Sequence, residues 1–181
     1  LIAALSSYVD AKSKNGFWFL RIEDLDPPRE PPGAAEYILD QLFALGLIWD
    51  GDILYQSTRL DAYQESLTRL FAQGQTYNCN CTRSEVKAMG SIYDGSCRDK
   101  NISLIEPFAV RIRTSSNIIG FDDQIQGYHQ QRLEQEVGDF VILRKDKFFA
   151  YQLAVVIDDE YQQVTNVIRG CDLLDSTFRQ I

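Results

Sequence analysis

Basic residues are in short supply: 18 Lys and Arg stand against 26 Asp and Glu, a formal net charge of −8. That balance speaks against a broad nucleic-acid-binding face, because counterion release favours basic surfaces. Long apolar runs are missing too, and no stretch approaches the roughly 18 residues that a membrane-spanning helix needs. The apolar opening Leu1-Ile2-Ala3-Ala4-Leu5 has no basic leader and meets Ser6, Ser7 and Asp10 at once, so it does not read as a signal peptide. There is no G-x-x-x-x-G-K-[ST], no G-x-S-x-G and no G-x-G-x-x-G, which leaves P-loop, hydrolase and dinucleotide readings without support. Histidine occurs once. His129 lies in the polar stretch Tyr128-His129-Gln130-Gln131-Arg132, a setting for a solvated loop residue rather than a base.

What is present suffices for a packed core: 45% of the residues are hydrophobic and 12% aromatic. A chain of 181 residues predicts one core with an insertion rather than two equal domains. Leu1, Leu5, Tyr8 and Val9 keep helical spacing with no capping residue ahead of them, so the natural protein is expected to extend further upstream. Phe17 to Ile22 reads as a strand buried on both faces, closing on the acidic loop Glu23-Asp24-Leu25-Asp26-Pro27-Pro28. A helix is predicted over 34–45, with Ala35, Ile38, Leu39, Leu42 and Leu45 on one stripe and Gly46 as its stop. Another follows at about 58–73, with Leu60, Tyr63, Leu67, Leu70 and Phe71 inward. The texture changes over 76–136, where short polar stretches and cysteines predict an inserted subdomain. Alternation resumes with Val137–Leu143, a turn at Lys145-Asp146-Lys147, an amphipathic or buried segment at 148–158 and a β-branched run at 164–168. Asp175-Ser176-Thr177 can cap a last helix. Strand–helix alternation around an insertion predicts an α/β fold with an open, doubly wound parallel sheet.

Two apolar runs close on charge: Ile22 hands over to Glu23-Asp24, and Ile168 to Arg169. Ligands of open parallel sheets bind beyond the carboxyl ends of strands. The two run-ends can therefore offer a carboxylate for an ammonium and an arginine fork for a carboxylate, the pair an amino acid uses. Charges that simply meet water are the plain alternative. Tyr151 by pattern alone is a core tyrosine whose hydroxyl bonds to something nearby.

Cys79 and Cys81 sit too close in sequence to bridge each other comfortably, and a core-rich chain needs no disulfide staples. Reduced thiols fit better, either as metal ligands or as buried unliganded groups. Structural zinc takes four ligands, most often thiolates. Cys79-x-Cys81 supplies two, and Cys97 returns from the far side of a glycine-containing loop. Tyr93 and His129 are both candidates for the remaining place.

Arg21-Ile22-Glu23-Asp24-Leu25-Asp26-Pro27-Pro28-Arg29-Glu30 resembles the RIED segment of the glutamyl-tRNA synthetase group, within the class I aminoacyl-tRNA synthetases. Several further pieces resemble the glutamyl-Q tRNA(Asp) synthetase family: Trp49-Asp50-Gly51-Asp52 with Tyr55-Gln56-Ser57, Cys79-Asn80-Cys81-Thr82-Arg83 and Tyr93-Asp94-Gly95-Ser96-Cys97-Arg98. So do Gly138-Asp139-Phe140-Val141-Ile142, Ala150-Tyr151-Gln152-Leu153 and Val167-Ile168-Arg169-Gly170 with Asp172-Leu173-Leu174-Asp175. The resemblance implies a bacterial, cytoplasmic, monomeric enzyme with a Rossmann-type catalytic domain. Residues 1–75 and 137–181 would be its two parts, with 76–136 a small zinc-binding insertion. It implies that ATP, as substrate with Mg2+, activates L-glutamate, which is then transferred to the queuosine base at the wobble position of tRNA(Asp). Glu23, Tyr151 and Arg169 would contact the glutamate, and Cys79, Cys81, Tyr93 and Cys97 would hold one structural Zn2+ per chain. Cys171 has no role in this reading.

The family's HIGH-type and KMSKS-like signatures, which stabilise charge on the ATP phosphates, are absent from these residues, so no catalytic residue is assigned. The rival readings are a glutamyl-tRNA synthetase catalytic domain, which charges the tRNA 3′ end, and a non-catalytic amino-acid- or RNA-binding paralogue. The 181 residues alone are expected to bind glutamate weakly at most and to form no adenylate. ATP–pyrophosphate exchange above background with this chain would overturn that expectation.

Overall fold

Alternation at residues 17–20 organises the first of two units in the computed structural model, which describes residues 1–181 apart from 91, 101, 103, 104 and 106. Trp18 is buried, whereas Phe17 and Phe19 are 74% and 43% exposed and stack on each other. The run Phe17–Ile22, expected to be covered on both faces, is thus covered on one, and only β1 (Arg21–Ile22) is paired. Ala4, Tyr8 and Ala11 of helix α1 (Ile2–Ser13) pack on Trp18 at helical spacing, with Tyr8 edge-on to the indole at 5.2 Å. Ile2, Leu5 and Val9 of that helix, and Leu1 before it, are exposed. Leu42 of α2 (Ala34–Ala44) and Leu47 complete this cluster. Asp50 fastens it, accepting the Trp18 amide at 2.7 Å and the Lys12 ammonium at 2.6 Å. The Lys12 contact, then the Trp18 amide, lower the Asp50 carboxyl pKa. No strand forms over 164–168.

Residues 1–61 with 159–174 make up this unit, and its parallel pairing joins β1 to β2 (Leu54–Tyr55). Beyond the two strands, Asp24 accepts the Ser57 amide at 2.8 Å and its hydroxyl at 2.5 Å, joining the loops after β1 and β2. The expected parallel sheet is therefore present as this one pair among the described residues. Sequence alternation identified candidate strands without identifying their partners.

The second unit comprises residues 62–158 and 175–181. Its sheet orders β3 (Thr76–Cys79), β4 (Ala109–Ile112) and β7 (Val141–Leu143) antiparallel, so the run at 137–143 pairs with strands at 76–112 rather than with β1. A hairpin of β5 (Ile118–Asp123) and β6 (Gly127–Arg132) follows β4, and α5 (Leu133–Glu136) leads toward β7. Tyr63 and Leu67 of α3 (Leu60–Ala72) are buried, as are Leu153, Ala154, Val155 and Asp158 of α6 (Tyr151–Tyr161). The Tyr63 hydroxyl donates to buried Asp158 at 2.6 Å. Two short helices complete the unit: α4 (Arg83–Ala88) and α7 (Thr177–Gln180). No helix among the described residues is long and apolar enough to cross a membrane.

Asp139, 1% exposed, ties the second unit together. Its carboxylate takes a bidentate pair from Arg98, with Nε and Nη2 both at 2.7 Å. It also accepts the Tyr77 hydroxyl, the Thr114 amide at 2.8 Å and the Thr114 hydroxyl at 2.9 Å. Burial would raise the carboxyl pKa, but Arg98, Tyr77 and Thr114 outweigh it and bring the value down to about 2. A depressed folded-state pKa means that the contribution is present above the unfolded value near 3.8 and lost as pH falls through about 2. Stability measured by urea unfolding should therefore fall by about 2 kcal/mol between about pH 4 and pH 2 from this group. Asp139→Asn should cost about 3 kcal/mol at neutral pH, because it takes away the bidentate carboxylate partner of Arg98 and leaves only the longer Glu134 contact. An unmoved urea midpoint in that variant would contradict this account.

Candidate metal centre

Three thiols, those of Cys79, Cys81 and Cys97, have their Sγ atoms within 4.8 Å of one another. Each arrives on a different local device. Cys79 ends β3, where pairing with Ala109 fixes its direction. Cys81 precedes the N-cap of α4: Thr82 Oγ1 accepts the Glu85 amide at 3.2 Å and the Glu85 carboxylate accepts the Thr82 amide at 2.6 Å, a reciprocal capping box. Cys97 closes a turn in which Asp94 accepts the Ser96 amide at 2.9 Å and Gly95 adopts φ +78°.

Tyr93 points its hydroxyl into the same space. Its oxygen lies 3.5 Å from Cys79 Sγ and 3.8 Å from Cys81 Sγ, while Cys81 Sγ and Cys97 Sγ are 3.5 Å apart. A tetrahedral zinc with bonds of about 2.3 Å to sulfur and about 2.0 Å to oxygen has S···S edges of about 3.8 Å and S···O edges of about 3.5 Å. The donor set fits such an ion in kind and in spacing. The Tyr93 backbone forms a parallel bridge with Gly138, which has φ +71°. A Cβ on Gly138 would meet Tyr93 O at 2.3 Å, so only glycine permits this approach.

Cys79, Tyr93 and Cys97 are at most 3% exposed, and Cys81 is half-buried. Burial, then its hydrogen bond with Cys97, pushes the Cys81 thiol up. Burial, then contact with Cys97, pushes the Tyr93 phenol up as well. For Cys97 burial works against ionisation, but Tyr93 and Cys81 outweigh it and lower the pKa. A divalent cation among these groups would favour their ionised forms.

His129, the other candidate for the remaining ligand place, lies on β6 and stacks on Phe121 at 5.8 Å between ring centroids. It is not among the ligand atoms that converge on the thiols. Exposed Cys171 stands apart from the cluster in sequence and in structural unit. Glu23 follows β1 and pairs with Arg21 at 3.5 Å. Arg169 belongs to the same unit as Glu23 and precedes the 3-10 turn Cys171–Ser176. Tyr151 opens α6 in the second unit, directly after a hairpin in which the Ala150 amide donates to Ile142 O at 2.9 Å.

Sequence reasoning missed Arg111 and gave no role to Arg98 or Asp139. Arg111 is buried, and its Nε donates to Cys79 Sγ at 3.2 Å. The available signal was a charge inside an apolar strand: Ala109-Val110-Arg111-Ile112, and Asp139 beside Phe140-Val141-Ile142. Such charges are rarely buried without partners.

The family model of class I tRNA synthetases (E and Q), catalytic domain, matches residues 2–181. Relatives named glutamyl-Q tRNA(Asp) synthetase are 50% identical in Pseudomonas putida and 51% identical in Escherichia coli, each aligned over 100% of this chain. The chain spans 60% and 58% of their lengths. A crystal structure of a glutamate tRNA ligase from Elizabethkingia meningosepticum, in complex with its amino acid, superposes with a TM-score of 0.85 at 26% identity. That match covers 98% of this chain and 42% of the other. A glutamate-tRNA synthetase from Elizabethkingia anophelis gives the same TM-score and identity. With nearly every residue inside the family model and the superposition equally extensive, the chain belongs to the class I tRNA synthetases of the E and Q group, in the region of their catalytic domain.

Proposed function

We propose that this chain is the glutamate-handling core of an enzyme that activates L-glutamate with ATP and transfers it to the queuosine base of tRNA(Asp). The observation that carries this reading is 50% identity over the whole chain to a relative named for that activity. In this reading 76–136 is an insertion between the catalytic segments 1–75 and 137–181. Arg169 would pair with a glutamate carboxylate, Glu23 with the ammonium, and Tyr151 would give a directional hydrogen bond. ATP with Mg2+ would be the second substrate, and queuosine-bearing tRNA(Asp) the acceptor.

Cys79, Cys81 and Cys97, with Tyr93, would hold one zinc. A zinc closed by four protein ligands offers no open position for substrate and acts by fixing the chain around it. The side chains do the rest of the positioning: Thr82 and Glu85 hold the CxC segment, Asp94 shapes the turn before Cys97, and Gly138 admits the Tyr93 backbone. The second reading, a glutamyl-tRNA synthetase that charges the 3′ end, is favoured by the fold match to glutamate tRNA ligases.

Acceptor choice separates the two readings. The complete protein should glutamylate queuosine-bearing tRNA(Asp) and leave unmodified tRNA(Glu) uncharged; the reverse preference would establish the second reading. In the same protein Glu23→Gln should raise the glutamate KM in ATP–pyrophosphate exchange by about 10- to 100-fold, the worth of one charged hydrogen bond. An unchanged KM would remove Glu23 from the site. Metal analysis should find one zinc per chain and its loss in Cys81→Ser. Metal-free unaltered protein would remove the zinc.

A further inference from the structure

Arg111 is a buried cation whose polar surroundings are unusual. Nε donates to Cys79 Sγ at 3.2 Å, Nη1 donates to the Asp139 carbonyl at 2.6 Å, and the guanidinium lies 3.9 Å over the Tyr93 ring. Among the described residues these partners are a thiol, a carbonyl and a ring face, none of them a carboxylate. Arg98 makes the comparison: it binds the Asp139 carboxylate itself and also meets Glu134. A guanidinium taken out of water without an anion is unfavourable, and Arg111 is only 8% exposed. The candidate metal centre supplies the missing charge. A divalent ion with three thiolates carries a net charge of about −1, and about −2 if the phenol is ionised.

We propose that Arg111 is the counter-charge of the metal centre and a positioning residue for two of its ligands, orienting Cys79 through an N–H···S bond and Tyr93 through its ring face. The inference rests on the zinc reading above. Both contacts come from one planar group held at its far end by the Asp139 carbonyl, so they are fixed together. Charged hydrogen bonds of this kind set the direction of a ligand's lone pairs, and their loss weakens metal binding without removing a ligand.

The test uses the 181-residue chain loaded with zinc and, separately, with Co2+. Arg111→Gln should weaken zinc by about 10- to 100-fold in competition with a chromophoric chelator. Its cobalt form should show the thiolate-to-metal band at longer wavelength, because a thiolate without its N–H donor holds electrons less tightly. Arg111→Lys, which keeps the charge, should bind zinc more tightly than Arg111→Gln. Equal zinc affinity and an unshifted cobalt band in Arg111→Gln would overturn the inference while leaving the metal reading intact. So would equal losses of affinity in the two variants. If Arg111→Gln fails to fold, an unshifted cobalt band in Arg111→Lys overturns the N–H···S contact. Absence of zinc from the unaltered chain would overturn both readings together.

Discussion

The Asp139 carboxylate is the interaction on which the unit with the thiol cluster depends. Its partners sit at each approach to the thiol cluster: Tyr77 two residues before Cys79, Arg98 one residue after Cys97, and Thr114 beyond β4. Its own carbonyl holds Arg111, and its neighbour Gly138 receives the Tyr93 backbone. One buried anion thus fixes the segments that carry Cys79, Tyr93 and Cys97, through partners 41 and 62 residues before it in the chain. Such a group is stable only while its donors remain matched, because an unpaired buried charge costs more than the pair contributes.

Around that anchor, charge alternates in layers. Asp139 faces Arg98, and Arg111 faces the sulfur of Cys79 and the ring of Tyr93. A cation in the cluster would continue the sequence outward. The net charge of −8 therefore says little about the site, where buried Arg111 and half-buried Arg98 set the local field. In the other unit the Asp50 carboxylate meets both the Lys12 ammonium and the Trp18 amide.

Much of the candidate metal site was legible beforehand. CxC spacing with a later cysteine is a pattern with few chemical meanings, and the three thiols do meet. Choosing Tyr93 over His129 was not possible from spacing, since both are polar side chains at reachable separations. What separates them is that His129 lies on β6, stacked on its cross-strand neighbour Phe121. Strand pairing was less legible still. The run at 137–143 looks like a strand of any sheet, and its antiparallel place beside β4 depends on contacts about 30 residues away in the chain. Helices α2 and α3 were placed well by periodicity, although only Leu42, Tyr63 and Leu67 of their apolar stripes are buried.

Composition and local pattern determined helices α1, α2 and α3, the acidic loop after Ile22, the turn at Lys145–Lys147 and the membership of the thiol cluster. These rest on short-range rules: capping, period and turn chemistry act within a few residues. Tertiary structure alone decided that Asp139 and Arg111 are interior charges, that Gly138 must lack a side chain, and that Tyr93 aims its oxygen at sulfur. Each of these depends on where a distant segment's backbone passes, and a buried charge is defined by partners that sequence order does not reveal.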